Sequence, residues 1–419
     1  MHENNKHEPS NFNWCLIIAL IISLYFPSSL GGVINPYLTV LSYCLAIFII
    51  LFGALLFKVT LSKKLLSFSF LLLLTLSAMS VFSPFGHLTL GALVPYIALC
   101  LICSINIRDL YFTKNQIRVV LLLILSLLIF ALCISFESKA VIEFQRTFYQ
   151  QLYPELFDFM VTWANKPVIV FATHSVAGFA FFIIAFVCLV FSRLVCTFSA
   201  KCILRFFSVA FSILLLLLLS NTGFFLFFIM VLAYFYYIFR AVNVVIVMLF
   251  LLVLFYFIFI NLNTVVWFVE DVSKLFFNVV LREDNGLLSR FSLGGRLAGS
   301  YAYVFDSPIL GVGFTSGGDL AFGDNILSEY VLRGGFFGYF LVLVIVVGYL
   351  YSNIKSFASF ILVLGFVFVS DLGYPLFVAS RFVFIFPVLI VLVNMYFEMN
   401  LSKIDKQQKI TADLKRAEQ

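Results

Sequence analysis

Charge is scarce in this chain, and the scarcity excludes a water-soluble globule. Only 11% of the 419 residues are charged, whereas 63% are hydrophobic. The mean hydropathy is +1.13, and apolar runs of about eighteen or more residues recur, which is the length that spans a bilayer. One core cannot hide so much apolar surface from water. The sequence therefore predicts an all-α polytopic membrane protein, because lipid offers no partners for unpaired backbone N–H and C=O groups.

Residue patterns that hold metal ions are also missing. The sequence has no Asp-x-Asp motif, no cluster of its four histidines and no Cys-x-x-Cys pair in a loop. All eight cysteines fall in apolar runs or in turns predicted to face the cytoplasm. The side of the membrane away from the cytoplasm, where disulfides form, is therefore expected to have no disulfide framework. We predict neither a metal ion nor a cofactor.

Ionisable residues are nearly absent from the middle of the apolar runs. His174 lies about two turns into one run, and Asp371 and Arg381 lie near the ends of two others. An ion-coupled transporter normally needs acidic or basic groups near the bilayer midplane. The pattern therefore disfavours a proton or sodium relay.

What the sequence does contain is about twelve apolar segments that can each form a transmembrane helix. If the N-terminus is cytoplasmic, seventeen of the 26 basic residues face the cytoplasm, as the positive-inside rule requires. Both termini are then expected to be cytoplasmic. The predicted spans are residues 14–33, 37–57, 65–83, 88–107, 117–136, 168–191, 203–220, 222–239, 241–262, 327–352, 356–373 and 378–398.

Two connections on the predicted outward side are long enough to carry chemistry. They divide the chain into five membrane helices, a first loop, four helices, a large loop with the candidate site, three helices and a cytoplasmic tail. In residue numbers these parts are 1–136, 137–167, 168–262, 263–326, 327–398 and 399–419.

The large loop contains arginines although it is predicted to face outward, whereas the positive-inside rule favours basic residues on the cytoplasmic side. The stretch SRFSLGGRL, residues 289–297, puts Arg290 and Arg296 around a Gly-Gly step, and Arg282 precedes it. A guanidinium group offers paired donors to phosphate, and glycine lets backbone N–H groups approach closely. The stretch therefore indicates a phosphate site. The alternative is contact with lipid headgroups or with local carboxylates.

Motifs along this loop occur in a fixed order before the tenth apolar run. They are Gly-Arg (295–296), P-x-x-G-x-G-F (308–314), Asp-Asn (324–325) and G-G-x-x-G (334–338). In this order and position they resemble the large periplasmic loop of the O-antigen polymerase and O-antigen ligase superfamily. The layout of twelve spans, with a second outward loop after the fifth, is similar to that superfamily as well.

The resemblance implies a GT-C-like, metal-independent membrane glycosyltransferase at the periplasmic face of the bacterial inner membrane. Its partners would be undecaprenyl-pyrophosphate-linked oligosaccharides as donor and acceptor, together with membrane lipids, and a chain-length regulator is a further partner to consider. No nucleic acid is expected. Similar ligases carry His-Asn where this chain has Asp324-Asn325, and Ser-Arg where it has Ser220-Asn221. These departures favour the polymerase.

Glycan transfer from a polyprenyl pyrophosphate needs groups that stabilise the departing pyrophosphate and a base for the acceptor hydroxyl. Arginines can replace the divalent metal, with Arg290 and Arg296 first and Arg282 and Arg333 as helpers. Asp324 is the candidate base. Glu329 can orient a sugar or can act as the base in place of Asp324. The catalytic candidates are thus Asp324, Glu329, Arg290 and Arg296; the candidates for binding pyrophosphate or sugar are Arg282, Arg290, Arg296, Arg333, Arg146, Asn325 and His174.

Structural roles compete with several of these assignments. Asp324 precedes an apolar helix, where Asp is a common N-cap. His174 can be a satisfied polar residue between helices. The 137–167 loop mixes aromatic and amide side chains around Arg146, which suits sugar binding but equally an interfacial helix.

Three functions remain open at the level of the sequence. The first is a polymerase that joins lipid-linked repeat units of a surface polysaccharide. The second is a ligase that moves the finished glycan to lipid A core. The third is a carrier or flippase for a lipid-linked or polyanionic substrate, in which the outward arginines attract phosphate without catalysis.

Replacing Arg290 or Arg296 by alanine is expected to abolish long glycan ladders if these arginines hold the pyrophosphate. Lysine should fail to restore them, because an ammonium group lacks the paired donors of a guanidinium group. The measurement is glycan length by gel electrophoresis, in variants shown to insert into the membrane. Ladders of wild-type length from both alanine variants would contradict the phosphate site.

Overall fold

The computed structural model describes residues 8–25, 36–85, 88–143, 174–194, 198–218, 221–235, 237, 300, 303–304, 308–315, 320, 322, 326–373, 375, 377–378 and 382–398. Within these ranges the regular structure is helical, apart from an isolated bridge between Leu61 and Ile105. The prediction of an all-helical chain is confirmed within these residues.

The helices follow the apolar runs. In chain order they are α1 (Glu8–Tyr25), α2 (Pro36–Leu56), α3 (Lys63–Phe82), α4 (Leu90–Ser104), α5 (Lys114–Ser135), α6 (His174–Leu194), α7 (Phe198–Leu217), α8 (Asn221–Tyr234), α9 (Leu332–Asn353), α10 (Phe357–Gly373) and α11 (Ile385–Glu398). A π-helical turn, Leu327–Val331, leads into α9, and a 3-10 turn, Phe382–Phe384, leads into α11.

Four helices in the described part of the chain are long and apolar enough to cross a membrane. They are Lys63–Phe82, Lys114–Ser135, Phe198–Leu217 and Leu327–Asn353, the last including the π turn. Six further helices there contain shorter apolar stretches of 10–17 residues. The predicted span 241–262 lies outside the described residues, so the count of twelve stays a prediction.

Polar residues define where several helices begin. The Ser62 side chain accepts a hydrogen bond from Leu65 N and caps α3. At α5, Thr113 and Gln116 exchange side-chain and backbone hydrogen bonds in a capping box. Such caps satisfy N–H groups that have no partner within the helix, so the turn before each helix is fixed locally.

Two helices begin five or more residues earlier than the hydropathy predicts. α1 begins at Glu8, before the predicted residue 14, and α7 begins at Phe198, before the predicted residue 203. Hydropathy marks the part of a helix that suits lipid, whereas the hydrogen-bonded helix continues through polar residues at the interface.

Large apolar side chains on α2 and α3 point away from the protein. Phe48, Phe52 and Leu55 on α2 and Phe70 and Val81 on α3 are exposed. In a water-soluble protein this would be a large apolar patch, but in a membrane protein it is the surface that lipid covers.

Asparagine side chains join the helix ends at one end of the bundle. Asn394 of α11 donates to Asn353 O at 2.7 Å and to Arg108 O at 3.2 Å, and it accepts from Lys355 N at 2.9 Å. The Asn353 side chain accepts from Ile107 N at 2.7 Å. Buried amides of this kind replace water for backbone groups that the helix ends leave unpaired.

Lys355 lies at the same end, in the turn between α9 and α10. Its ammonium group contacts Asp109 at 2.9 Å and Glu398 at 2.5 Å. Burial lowers the pKa of Lys355, but the hydrogen bonds and charges of the two carboxylates raise it by more, so the pKa lies above its ordinary value. Lys355 therefore ties three elements together as a cation.

A segment that we call the strap, residues 308–315, docks at the opposite end of the bundle. It runs beside the start of α9, and backbone hydrogen bonds join them: Val312 N to Leu332 O (2.9 Å), Gly313 N to Arg333 O (2.8 Å) and Phe336 N to Pro308 O (2.9 Å). The pairing requires a break in α9, and Gly335 supplies it with φ 61° and ψ −172°. The strap and the helix start therefore form one unit.

Two other helix ends hold the strap from the far side. Phe314 N donates to the Ser80 side chain of α3 at 2.6 Å, and Phe314 O accepts from Thr89 N, just before α4, at 2.8 Å. Gly313 has φ 72°, and a Cβ there would meet Ser80 and the Leu76 carbonyl. The strap thus fits between α3, α4 and α9.

Gly335→Ala is expected to lower the stability of the protein. Alanine would have to adopt φ 61° with ψ −172°, a conformation that is essentially restricted to glycine and costs about 1–3 kcal/mol, and its Cβ would meet the backbone of Ile309. The measurement is the midpoint of thermal unfolding in detergent. Gly91→Ala is the matched control, since nothing lies within 4 Å of its added Cβ. Equal midpoints for the two variants would contradict the tight fit of the strap.

Candidate functional site

A buried ion pair lies where the strap meets α9. Glu329 belongs to the π turn and Arg333 to the first turn of α9, and Arg333 Nε contacts Glu329 Oε1 at 2.5 Å. Both residues are only 6% exposed. Two charges are removed from water only at a cost of several kcal/mol each, which their attraction and further hydrogen bonds must offset.

The strap provides the further hydrogen bonds for Arg333. Nη1 donates to Gly313 O at 3.2 Å and to Thr315 O at 3.0 Å. The guanidinium carbon also lies 4.1 Å from the centre of the Phe322 ring, a distance that allows a cation–π interaction. The backbone of the strap therefore fixes the plane of the guanidinium group.

Helix α4 provides the neighbour of Glu329. The Tyr96 hydroxyl donates to Glu329 Oε1 at 3.4 Å, and the Tyr96 ring meets Phe314 of the strap edge-on at 5.4 Å between centroids. Tyr96 is fully buried and follows Pro95 inside α4. The carboxylate is thus held from two helices and cannot rotate without losing a partner.

The hydrogen bonds of the pair to described residues use only part of each side chain. Those of Glu329 both end on Oε1, and those of Arg333 use Nε and Nη1. A carboxylate has a second acceptor oxygen, and a guanidinium group has five N–H donors. Among the described residues, Glu329 Oε2 and Arg333 Nη2 have no hydrogen-bond partner.

The backbone around the pair departs from ordinary helix on both sides. The π turn Leu327–Val331 precedes it, and the break at Gly335 follows it. Four consecutive residues of the π turn, from Ser328 to Val331, are buried. Single π turns occur often at functional sites, and unusual backbone conformations cluster there as well.

A second buried carboxylate belongs to α10. Asp371 of α10 is buried, with 8% exposure. It interacts electrostatically with Tyr330, which follows Glu329, and with Tyr339 of α9. The rings of Tyr330 and Tyr339 stack, with centroids 6.1 Å apart.

Of the site residues predicted from the sequence, the structure brings Glu329 and Arg333 together. His174 is the first residue of α6, and its side chain is not among those described. The other predicted residues lie outside the described part of the chain: Arg146, Arg282, Arg290, Arg296, Asp324 and Asn325.

Sequence reasoning missed most of the partners of the pair. Tyr96 lies inside an apolar run without any pattern that marks it, and the carbonyl groups of Gly313 and Thr315 carry no side-chain signal. The P-x-x-G-x-G-F motif marked residues 308–314, but nothing in it showed that carbonyl groups of this segment would bind a guanidinium group.

No group of three His, Cys, Asp or Glu side chains in the described part of the structure could hold a metal ion. Glu329 has an arginine and a tyrosine as its described hydrogen-bond partners.

No known protein family, curated protein or solved structure gives a match to this chain. What the site does must therefore follow from its own residues and their surroundings.

Removing one member of the pair is expected to destabilise the protein more than removing both. Arg333→Met leaves a buried carboxylate unpaired, which typically costs about 3–5 kcal/mol, whereas Glu329→Gln together with Arg333→Met leaves no buried charge at the pair. The measurement is a double-mutant cycle on the free energy of unfolding in detergent. A coupling energy near zero would show that the two side chains act independently.

Proposed function

We propose that this chain is a membrane glycosyltransferase that joins lipid-linked oligosaccharide repeat units into a surface polysaccharide. The observation that supports this best is the Glu329 carboxylate. It is buried, it is oriented by Arg333 and Tyr96, and it keeps one oxygen without a described partner. Its partner Arg333 donates hydrogen bonds to the strap, which carries the P-x-x-G-x-G-F motif of the predicted outward loop.

The proposed reaction is a displacement at the anomeric carbon of the donor. The acceptor hydroxyl oxygen forms a bond to that carbon, and the bond from the carbon to the pyrophosphate oxygen breaks. The proton of the hydroxyl passes to Glu329 Oε2, and the electron pair leaves with the lipid pyrophosphate. A base in hydrogen-bonding reach of the acceptor contributes about 10²–10⁴-fold to such a step.

The pyrophosphate group needs positive charge from elsewhere in the chain. We assign this role to Arg290 and Arg296, with Arg282 as a helper, because paired donors suit phosphate oxygens. Arg333 instead orients Glu329, since Glu329 and the strap carbonyls occupy its Nε and Nη1 groups. Asp324 remains an alternative base.

A carrier function is less compatible with the placement of charge. The charged side chains that are buried in the described part of the chain are Glu329, Arg333 and Asp371. All three lie close to the strap end of their helices. A relay across the membrane needs such groups along the whole path.

We place the reaction at the periplasmic face of a bacterial inner membrane. The donor and acceptor are then undecaprenyl-pyrophosphate-linked oligosaccharides, and no metal ion or cofactor takes part. A ligase that transfers the glycan to lipid A core would use the same donor, so the experiment has to separate the two.

The test is deletion of this chain from the source bacterium, followed by complementation with wild type or Glu329→Gln. A polymerase predicts that deletion removes the long glycan ladders and leaves single repeats on core lipid. Glu329→Gln should slow ladder formation by about 100-fold or more, because the amide cannot take the proton. Ladder length and the amount of inserted protein are both measured by gel electrophoresis.

The control variant is Glu143→Gln, the same change at an exposed carboxylate, which should restore full ladders. Loss of even the single repeat on deletion would indicate a ligase or a flippase instead. Full ladders from Glu329→Gln would exclude Glu329 as the base and leave Asp324 to be tested.

A further inference from the structure

We infer that the ends of α6 and α7 remote from the strap hold the phosphate headgroup of one anionic phospholipid, with Arg193, Lys201 and Arg205 as binding residues. The inference goes beyond the proposed function and is independent of it. It concerns a lipid of the surrounding bilayer, on the side that the sequence predicts to be cytoplasmic.

The contacts between α6 and α7 fix which residues of the two helices lie side by side. The Ser208 side chain of α7 donates to Ala185 O of α6 at 2.7 Å. The rings of Phe181 on α6 and Phe211 on α7 lie 5.6 Å apart between centroids. Moving forward along α6 therefore corresponds to moving backward along α7, so the two helices form an antiparallel pair.

Three basic side chains gather where this pair ends. Arg193 lies eight residues beyond Ala185, and Lys201 lies seven residues before Ser208, so the register places them within about 1.5 Å of the same level along the helix axes. Arg205 follows Lys201 by four residues and lies on the same face of α7. Helical side chains are directed toward the N-terminus of their helix, so Arg205 extends toward the level of Lys201.

This cluster of three cations lies at the end of the bundle that Lys355 closes. Phe186 of α6 meets Tyr237 edge-on at 5.6 Å, and the Tyr237 hydroxyl is 2.9 Å from the Ser359 side chain at the start of α10. The Tyr237 ring also lies 5.0 Å from that of Tyr396, near the end of α11. The cluster is therefore separate from the candidate site at the strap.

The three cations differ from Lys355 in having no acidic neighbour among the described residues. None of them forms an ion pair or a hydrogen bond there, and Arg205 Nε is buried without a hydrogen-bond partner. The sequence has no acidic residue between Asp158 and Glu270, so α6, α7 and α8 contain no carboxylate side chain. A buried guanidinium N–H without an acceptor is costly, and an anion from outside the chain supplies the acceptor.

Apolar side chains beside the cluster favour a lipid over a free anion. Phe198, Ile203 and Phe206 of α7 are exposed, whereas Lys201 and Arg205 are partly covered. The helix thus presents cations at its start and an apolar surface alongside them, which match the headgroup and the acyl chains of one lipid. Basic pockets between membrane helices on the cytoplasmic side bind anionic headgroups in this way.

The experiment measures lipid binding to the full chain in detergent by native mass spectrometry. The probes are phosphatidylglycerol and phosphatidylcholine with the same acyl chains, and inorganic phosphate in large excess is the competitor. The wild type should retain one phosphatidylglycerol about 10-fold more tightly than phosphatidylcholine, and inorganic phosphate should not displace it. Arg205→Gln and Arg193→Gln should each weaken phosphatidylglycerol binding about 5-fold and leave phosphatidylcholine binding unchanged.

Arg118→Gln is the matched control. Arg118 is an exposed cation of α5 on the same predicted side of the membrane, and its guanidinium group contacts the Asn115 side chain at 3.4 Å. The change removes the same charge, so it should leave the binding of both lipids as in the wild type. Thermal unfolding of each variant shows whether a loss of binding comes from a loss of folded protein, and Arg193→Gln tests the site at a partly exposed position.

Four results would overturn the inference. Equal binding of the two lipids by the wild type would show that the headgroup charge is not recognised. An equal loss from Arg118→Gln would show a general effect of net charge, and displacement by inorganic phosphate would show a site for a soluble anion. Unchanged phosphatidylglycerol binding in both Arg205→Gln and Arg193→Gln would place the lipid elsewhere on the protein.

Discussion

The contact between the strap and the start of α9 is the constraint on which the rest of the site depends. Arg333 can be buried because its guanidinium group reaches the carbonyls of Gly313 and Thr315 as well as Glu329. Those carbonyls are in place because Gly335 interrupts the helix and lets residues 308–315 run alongside it. A continuous α-helix would bond its own backbone and leave no edge for the strap. The conformation of one glycine and the burial of one ion pair therefore support each other.

The two ends of the bundle use polar groups in different ways. At one end, Asn353, Asn394 and Lys355 use their hydrogen-bonding groups on turns and neighbouring helices, so this end is locked. At the strap end, Glu329 pairs with Arg333 and Tyr96, and Arg333 also donates to two carbonyl groups of the strap. One end therefore joins turns to helices through amides, whereas the other joins a loop segment to a helix through a buried ion pair.

Much of the helical layout follows from local sequence. The predicted spans 65–83 and 356–373 agree with helices Lys63–Phe82 and Phe357–Gly373 to within two residues, because a long apolar run in lipid has to close its own backbone hydrogen bonds. The early start of α7 at Phe198 was missed, since hydropathy does not register helix that extends beyond lipid. Within the candidate site, Glu329 and Arg333 were found because they are charged residues at the edge of an apolar run. Tyr96 was not, because a tyrosine inside such a run looks like any other apolar residue.

By itself, the sequence determined that this protein is a helical membrane protein, and it marked a loop rich in glycine and arginine as the place to look for chemistry. Hydropathy acts residue by residue, so it needs no knowledge of neighbours in space. Only the tertiary structure decided that Glu329 is paired with Arg333, held by Tyr96 from 233 residues away and followed by Tyr330 in a buried π turn. Those contacts depend on how helices pack and on where a strap crosses them. A charged side chain that stays in water needs no partner, whereas a buried one needs an opposite charge and hydrogen bonds, and only the packing of the helices shows which case applies.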